Sequence, residues 1–363
     1  MKRLLLIMGA VLAIAAASCT KSDSLTSSTL KMSLSTGVTA VNNAVSTIST
    51  TKGYEILNAN SAALKSETTY TDSVTLESVA GIYDYKPDLL STWNFFIPHK
   101  MFVKTGTSAM MIVNLPQKLV FHPRFLRDFN PADTTLANDF SIKASDYYYY
   151  FNYTNLYNYR LTAGFTLDTT NLGNMQISAT ANTTSNSSTS AYTFPNGYSL
   201  TTTDALANDT TTKTFNLSKD GTVLMKETTI FAQPVQLPYG MGPGPDFRHR
   251  EGLYILTIGN VEIRRGAGLD SIQVYLNGVL QQHAGAAITD SSATDGSFCH
   301  SRDIKITFDD GTTTNLSALL DPAKTALKTL VDALHSMNFA KNIVDYIAVG
   351  IDYNFRMEHG GPH

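Results

Sequence analysis

Chemistry in this chain concentrates in one short stretch. Asp246-Phe247-Arg248-His249-Arg250-Glu251 places five ionisable side chains in six positions. Charged residues make up only 16% of the whole chain, against the usual quarter, so that density stands out. The cluster follows Tyr239-Gly240-Met241-Gly242-Pro243-Gly244-Pro245, where glycines let a backbone approach a ligand and prolines fix the turn. Asp246, His249 and Glu251 are residue types that hold a divalent cation, with imidazole as a borderline nitrogen ligand. Arg248 and Arg250 beside the acids oppose a cation and pair with the acids instead. The expectation is therefore a ligand-facing loop that uses Asp246, Arg248, His249 and Glu251, without a metal.

The remaining candidates are thinner. Cys299-His300 sets a nucleophile beside a base, but neighbours on a strand point to opposite faces, and a buried, unpaired thiol is expected. Met357, Glu358, His359 and His363 in the tail could take up copper or nickel adventitiously; a disordered terminus is the expected state. Tyr147, Tyr148, Tyr149, Tyr150, Phe151, Tyr153, Tyr157 and Tyr159 form the densest aromatic run. It suits either a platform for sugars, since tyrosine has an apolar face and a wet hydroxyl, or packing on both faces of a central sheet. No Gly-x-Ser-x-Gly elbow, zinc-binding His-Glu-x-x-His, P-loop or dinucleotide fingerprint occurs, so no catalytic residue and no cofactor is expected. Carboxylate-based hydrolases need no such local motif, which leaves an enzyme open. The net charge of −3 comes without a basic stripe, which disfavours nucleic acid, so no nucleic-acid partner is expected.

These residues need a frame, and the pattern of the chain supplies one. Leu30, Leu34, Val38, Val41, Val45 and Ile48 recur at steps of four and three, predicting a helix from residue 30 with a C-terminal stop at Lys52-Gly53. Residues 58–73 are polar and irregular, and strand texture begins at Val74. Residues 93–104 and 109–115 flank Thr105-Gly106-Thr107 and read as a hairpin. Residues 133–146 read as a polar connection. Two strands around Thr154-Asn155 account for the tyrosine run. Residues 175–181 and 192–203 read as a further pair, joined by a polar loop at 182–190. Strands flank Lys219-Asp220-Gly221, Asn277-Gly278 and Asp309-Asp310-Gly311, all hairpin signals. The apolar runs 223–231 and 253–263 are strands that could hold the Asp246–Glu251 loop in place. Asp321 as N-cap and Pro322 at the first helical position open a second helix, with Leu327, Leu330, Val331 and Leu334 on its apolar face. Residues 343–355 read as a closing strand. The fold class expected is mainly β or α+β, with antiparallel hairpins in packed sheets covered by an N-terminal and a C-terminal helix. The body, residues 30–363, is one domain or two halves dividing near 181–213.

The first nineteen residues carry an address. Lys2 and Arg3 precede an apolar run from Leu4 to Ala17, and Ala16-Ala17-Ser18 lead into Cys19. A positive start, a short apolar run and small residues at the cut describe a secretory signal peptide, and the run is shorter than the ~20 residues of a spanning helix. This end resembles a bacterial lipoprotein signal with its lipobox, with Ala16 where that family usually has Leu. The resemblance implies a signal peptide over residues 1–18 and lipidation of Cys19, with palmitate-type acyl chains as the anchor. After Cys19, the Ser/Thr-rich composition with its Lys21-Asp23 pair makes residues 19–29 read as a flexible tether. With Cys19 acylated, Cys299 has no partner. Thr20-Lys21-Ser22-Asp23 resembles weakly the surface-export signal of Bacteroidota, and the β-rich, Ser/Thr/Asn-rich body looks like the envelope lipoproteins common there.

Together these features predict a membrane-anchored envelope lipoprotein, held in the outer membrane on its periplasmic or surface face. Its β-rich body would bind a small molecule, a glycan or an envelope protein without chemistry. Two other readings stay open. A carrier of a lipid-like ligand would show a large apolar cavity with an open mouth. A glycan-acting hydrolase would show two carboxylates facing each other across a cleft.

Overall fold

The computed structural model describes residues 27–58, 73–86, 102–117, 137–152, 156–232, 252–266, 272–290, 302–308, 310–336 and 338–359. Apolar residues three and four apart near the two ends become helices, and alternating residues between them become strands. Ser27–Ser49 (α1) buries Leu30, Leu34, Val38, Val41, Val45 and Ile48 along one stripe, as their spacing predicts. The expected stop at Lys52-Gly53 is corrected: α1 ends at Ser49, and Lys52–Asn58 (α2) is a separate short helix. Gly53 permits a close approach there, because a Cβ would lie 2.6 Å from the Leu172 carbonyl oxygen.

Val74–Thr75 (β1) is followed by the short helix Leu76–Val79 (α3), then Gly81–Tyr85 (β2), Phe102–Gly106 (β3) and Met111–Leu115 (β4). The long strands are Phe140–Phe151 (β5), Tyr157–Leu167 (β6), Thr170–Ala181 (β7), Ser185–Thr193 (β8), Tyr198–Ala207 (β9), Thr210–Lys219 (β10) and Thr222–Ala232 (β11). Leu253–Ile258 (β12), Val261–Arg265 (β13), Gln273–Leu276 (β14) and Val279–Leu280 (β15) complete one fifteen-stranded sheet, in which β4 to β15 are antiparallel neighbours in chain order. The sheet runs without interruption through residues 181–213. Gly285–Asp290 (β16), Arg302–Thr307 (β17) and Thr313–Asn315 (β18) make a small second sheet, and Leu316–Ser336 (α4) and Asn338–His359 (α5) follow.

The fold is therefore mainly β, built from antiparallel hairpins and covered by helices from both ends of the chain. The helices share the inner face of the large sheet, where α1 packs on β11, β12 and β13, and α4 packs on β8 and β9. At both Asp220-Gly221 and Asn277-Gly278 the two turn residues have positive φ (49° and 82°, 53° and 78°). That is the backbone which matches the twist of the flanking strands.

Several expectations are corrected. Residues 343–355 are helical, within α5. Ala340, Val344, Ile347 and Ala348 are buried with half-buried Ile351 beside them, a helical spacing that outweighs the β-branched content of the segment. The tail residues Met357 to His359 end this helix. Asp321 and Pro322 lie inside α4, which begins at Leu316 because Leu316, Leu320, Ala323, Leu327 and Leu330 form one buried stripe. The polar run 182–190 is mostly strand β8, which pairs with β7 and β9 on its two sides. Ladder bonds belong to the backbone, so serines and threonines serve a central strand once both neighbours are present. Residues 133–146 are not simply a connection either, since β5 starts at Phe140 with Phe140, Ile142 and Ala144 inward. The 253–263 run is two strands, β12 and β13. No hairpin joins β3 to β4: β2 lies between them, antiparallel to β3 and parallel to β4. Gly81, Tyr83 and Tyr85 match Met111, Val113 and Leu115 in burial, whereas β3 buries no side chain and takes the edge.

Candidate ligand-binding groove

The inner face changes character along the strands. One row crosses β7 to β14 through Met175, Tyr192, Leu200, Leu217, Met225, Ile258, Val261 and Leu276, and every member is buried. Two residues further along, the next row reads Ile177, Ser190, Thr202, Phe215, Glu227, Leu256. Two further still it reads Ala179, Ser188, Asp204, Lys213, Thr229, Tyr254. Side chains two apart on a strand share a face, so these polar residues occupy positions where the first row has core.

Two adjoining cavities of about 340 and 400 Å³ lie over this polar floor and share Ser188, Asp204 and Lys213. The first also touches Ser190, Thr202, Phe215, Glu227 and Thr229. The second continues past Asn186, Leu206 and Thr211 to Tyr157 and Phe231. Phe215 is buried in the middle of the floor, an apolar plate among hydroxyls.

Three charges define the electrostatics. Asp204 and Lys213 stand opposite each other on β9 and β10 and pair at 3.2 Å. With side chains 47% and 57% exposed, the pair contributes at most about 1 kcal/mol. Glu227 differs. Burial pushes its carboxyl above the usual range, although it accepts a hydrogen bond from the Tyr254 hydroxyl. Among the described residues it has no cationic partner.

The tyrosine run lies nearby and is mostly structural. A β-bulge between Ala144 and Asp146 shifts β5 by one residue, so the inward positions change from even to odd numbers. Tyr147 and Tyr159 are then fully buried, with their rings edge-on at 6.1 Å. Both hydroxyls donate to Asp345 Oδ1 of α5, at 3.1 and 3.0 Å. Lys341 Nζ donates to Asp345 Oδ2 at 2.5 Å and sits 4.5 Å above the Tyr159 ring. Burial still raises the Asp345 carboxyl, opposed by Lys341 and the two hydroxyls. Tyr148 faces the other way, under the Arg160 guanidinium at 5.3 Å. Among the described residues of the run, only Tyr157 lines the groove.

Asp246, Arg248, His249 and Glu251 lie outside the described residues, as do Cys19, Cys299 and His300. The strands flanking the loop are described: β11 ends at Ala232, one residue beyond Phe231, and β12 begins at Leu253 opposite Ile230. Among the described residues no three His, Cys, Asp or Glu side chains converge as a metal site, and no helix is long and apolar enough to cross a membrane. The groove was legible in one signal that hairpin reading passes over. Asp204, Lys213 and Glu227 stand an even number of residues from Leu200, Leu217 and Met225, which puts charge in the core phase of three successive strands. No family model, curated protein or solved structure matches the chain.

Proposed function

We propose that this protein is an envelope lipoprotein, anchored to the membrane through acylated Cys19, whose β-rich body binds a polar small molecule or glycan without chemistry. The observation that supports the binding role is the floor of the groove. Charged and hydroxyl side chains on β8 to β11 occupy inward positions and border open volume, where burial without a partner costs free energy. The anchor rests on Lys2, Arg3, the apolar run and Ala16-Ala17-Ser18-Cys19. An outer-membrane location follows from the same resemblance.

A lipid-like cargo fits the described cavities less well, since serines, threonines and a salt bridge line them. A hydrolase would have to use Asp204 and Glu227. They lie two strands and two residues apart, about 12 Å at Cα from strand geometry, and their carboxyls would have to turn toward each other.

Two experiments test the proposal. Cys19→Ala should move the protein to the soluble fraction and abolish labelling by a clickable fatty acid; labelling that persists rejects the anchor. A glycan and metabolite library screened by thermal shift should yield a ligand whose stabilisation disappears in Ser190→Trp, which fills the groove. A ligand bound equally by that variant places the site elsewhere.

A further inference from the structure

Among the described residues, Glu227 is an acceptor whose partners are incomplete. The Tyr254 hydroxyl donates to it, so the carboxyl is used as an acceptor and its remaining lone pairs ask for donors. A serine or threonine beside it could donate only one proton and would leave the charge uncompensated. An ammonium brings three donors and the missing charge together. The rest of the floor agrees in sign: Asp204 and Glu227 outnumber Lys213 by one, and Lys213 is already engaged with Asp204.

Resting on the groove as the binding site, we propose that it holds a hydroxyl-rich ligand bearing a protonated amine, an oligosaccharide of amino sugars. The amine sits against Glu227, a ring lies over Phe215, and hydroxyls meet Ser188, Ser190 and Thr202. The register supports this order, because Ser190, Thr202, Phe215 and Glu227 are successive cross-strand neighbours in one row. Each step across strands is ~4.8 Å, so hydroxyl partners, ring plate and carboxyl spread over about 14 Å. An extended ligand spans that distance and a single sugar ring does not. The two adjoining cavities also continue past Asp204 toward Tyr157 and Phe231, which leaves room for further rings.

The test is calorimetry on the full chain in detergent, with three tetrasaccharides of β-1,4-linked glucosamine, N-acetylglucosamine and glucose. The amine form should bind at least tenfold more tightly than the two neutral ones. Glu227→Gln, which keeps an acceptor for Tyr254, should erase that preference while neutral sugars change less than twofold. Neutral sugars that bind as well as the amine, or a preference that survives in Glu227→Gln, overturn the inference. If those neutral sugars are then lost in Ser190→Trp, the groove stands and only the amine fails. Failure of all three sugars to bind overturns the amino-sugar assignment, and the library screen judges the groove separately. The comparison among sugars needs no variant, so a poorly folded Glu227→Gln does not protect the idea.

Discussion

Asp345 and Glu227 are both carboxyls that burial pushes upward, and they meet the same face of the same sheet in opposite ways. Asp345 comes in on α5 and is completed from within: two tyrosine hydroxyls take one oxygen and Lys341 takes the other. Glu227 belongs to the sheet itself and has the Tyr254 hydroxyl alone among the described residues. A closed polar network fixes a helix on a sheet. An open one leaves hydrogen-bonding capacity for something else. The contrast separates structural polarity from binding polarity without any motif, and each half can be broken independently.

The largest effect is expected at the closed end. Asp345→Ala removes the acceptor of two fully buried hydroxyls and strands Lys341, a loss of about 3–5 kcal/mol for a broken buried pair. A urea midpoint shift of comparable size checks it, and a loss below about 1 kcal/mol would show that the network does not hold α5 in place. Asp345→Asn keeps the oxygen and sharpens the point through pH. The folded-state pKa of Asp345 is raised, so the folded state binds more protons than the unfolded one in the window above the ordinary carboxylate range. Its contribution is fully present below the unfolded pKa and is lost as pH rises through the folded value. Stability of the natural protein relative to Asp345→Asn should thus fall with rising pH and then level. A difference curve that rises instead would mean that Lys341 and the hydroxyls outweigh burial.

How far the sequence could lead differs between these two ends. The α1 stripe and the turns at Asp220-Gly221 and Asn277-Gly278 follow from local rules, because spacing and turn residues alone set them. Asp345 was hidden because residues 343–355 carry isoleucine and valine at a strand-like density, while the buried spacing of Ala340, Val344, Ile347 and Ala348 belongs to a helix. The bulge at Ala144/Asp146 likewise reverses which tyrosines face inward, and no composition rule announces a bulge. Strand β8 was hidden because serines and asparagines signal a loop until both neighbours supply its ladder. The groove needs β8 to β11 in register, so it became readable only once that polar run was a strand. The Asp246–Glu251 loop, the strongest local signal, lies outside the described residues.

A smaller effect is expected at Glu227. Replacing it by Gln should leave stability at neutral pH unchanged or raised by no more than about 1 kcal/mol, since the variant removes a poorly compensated charge and keeps the Tyr254 bond. The sign runs as at Asp345: a raised folded pKa means stability lost on going up through it, so the natural protein should gain on Glu227→Gln as the solution is acidified. Thermal melts across a pH series measure this. A marked destabilisation at pH 7 would make Glu227 a member of a closed network like that of Asp345, and the contrast would collapse.

The smallest effect belongs to Lys213. Its pair with Asp204 is about half exposed on both sides, long side chains lose rotamer freedom when held in one geometry, and salt screens what remains. Lys213→Ala should cost less than about 1 kcal/mol, and added salt should shrink even that. The informative readout is binding. Without Lys213 the floor carries Asp204 and Glu227 unopposed, so a cationic ligand should bind a few-fold more tightly at low salt and the gain should vanish at high salt. A neutral ligand gains nothing from that change. Weaker binding of a cationic tetrasaccharide in Lys213→Ala would instead make the lysine a donor to ligand hydroxyls, and the charge balance of the floor would no longer select the amine.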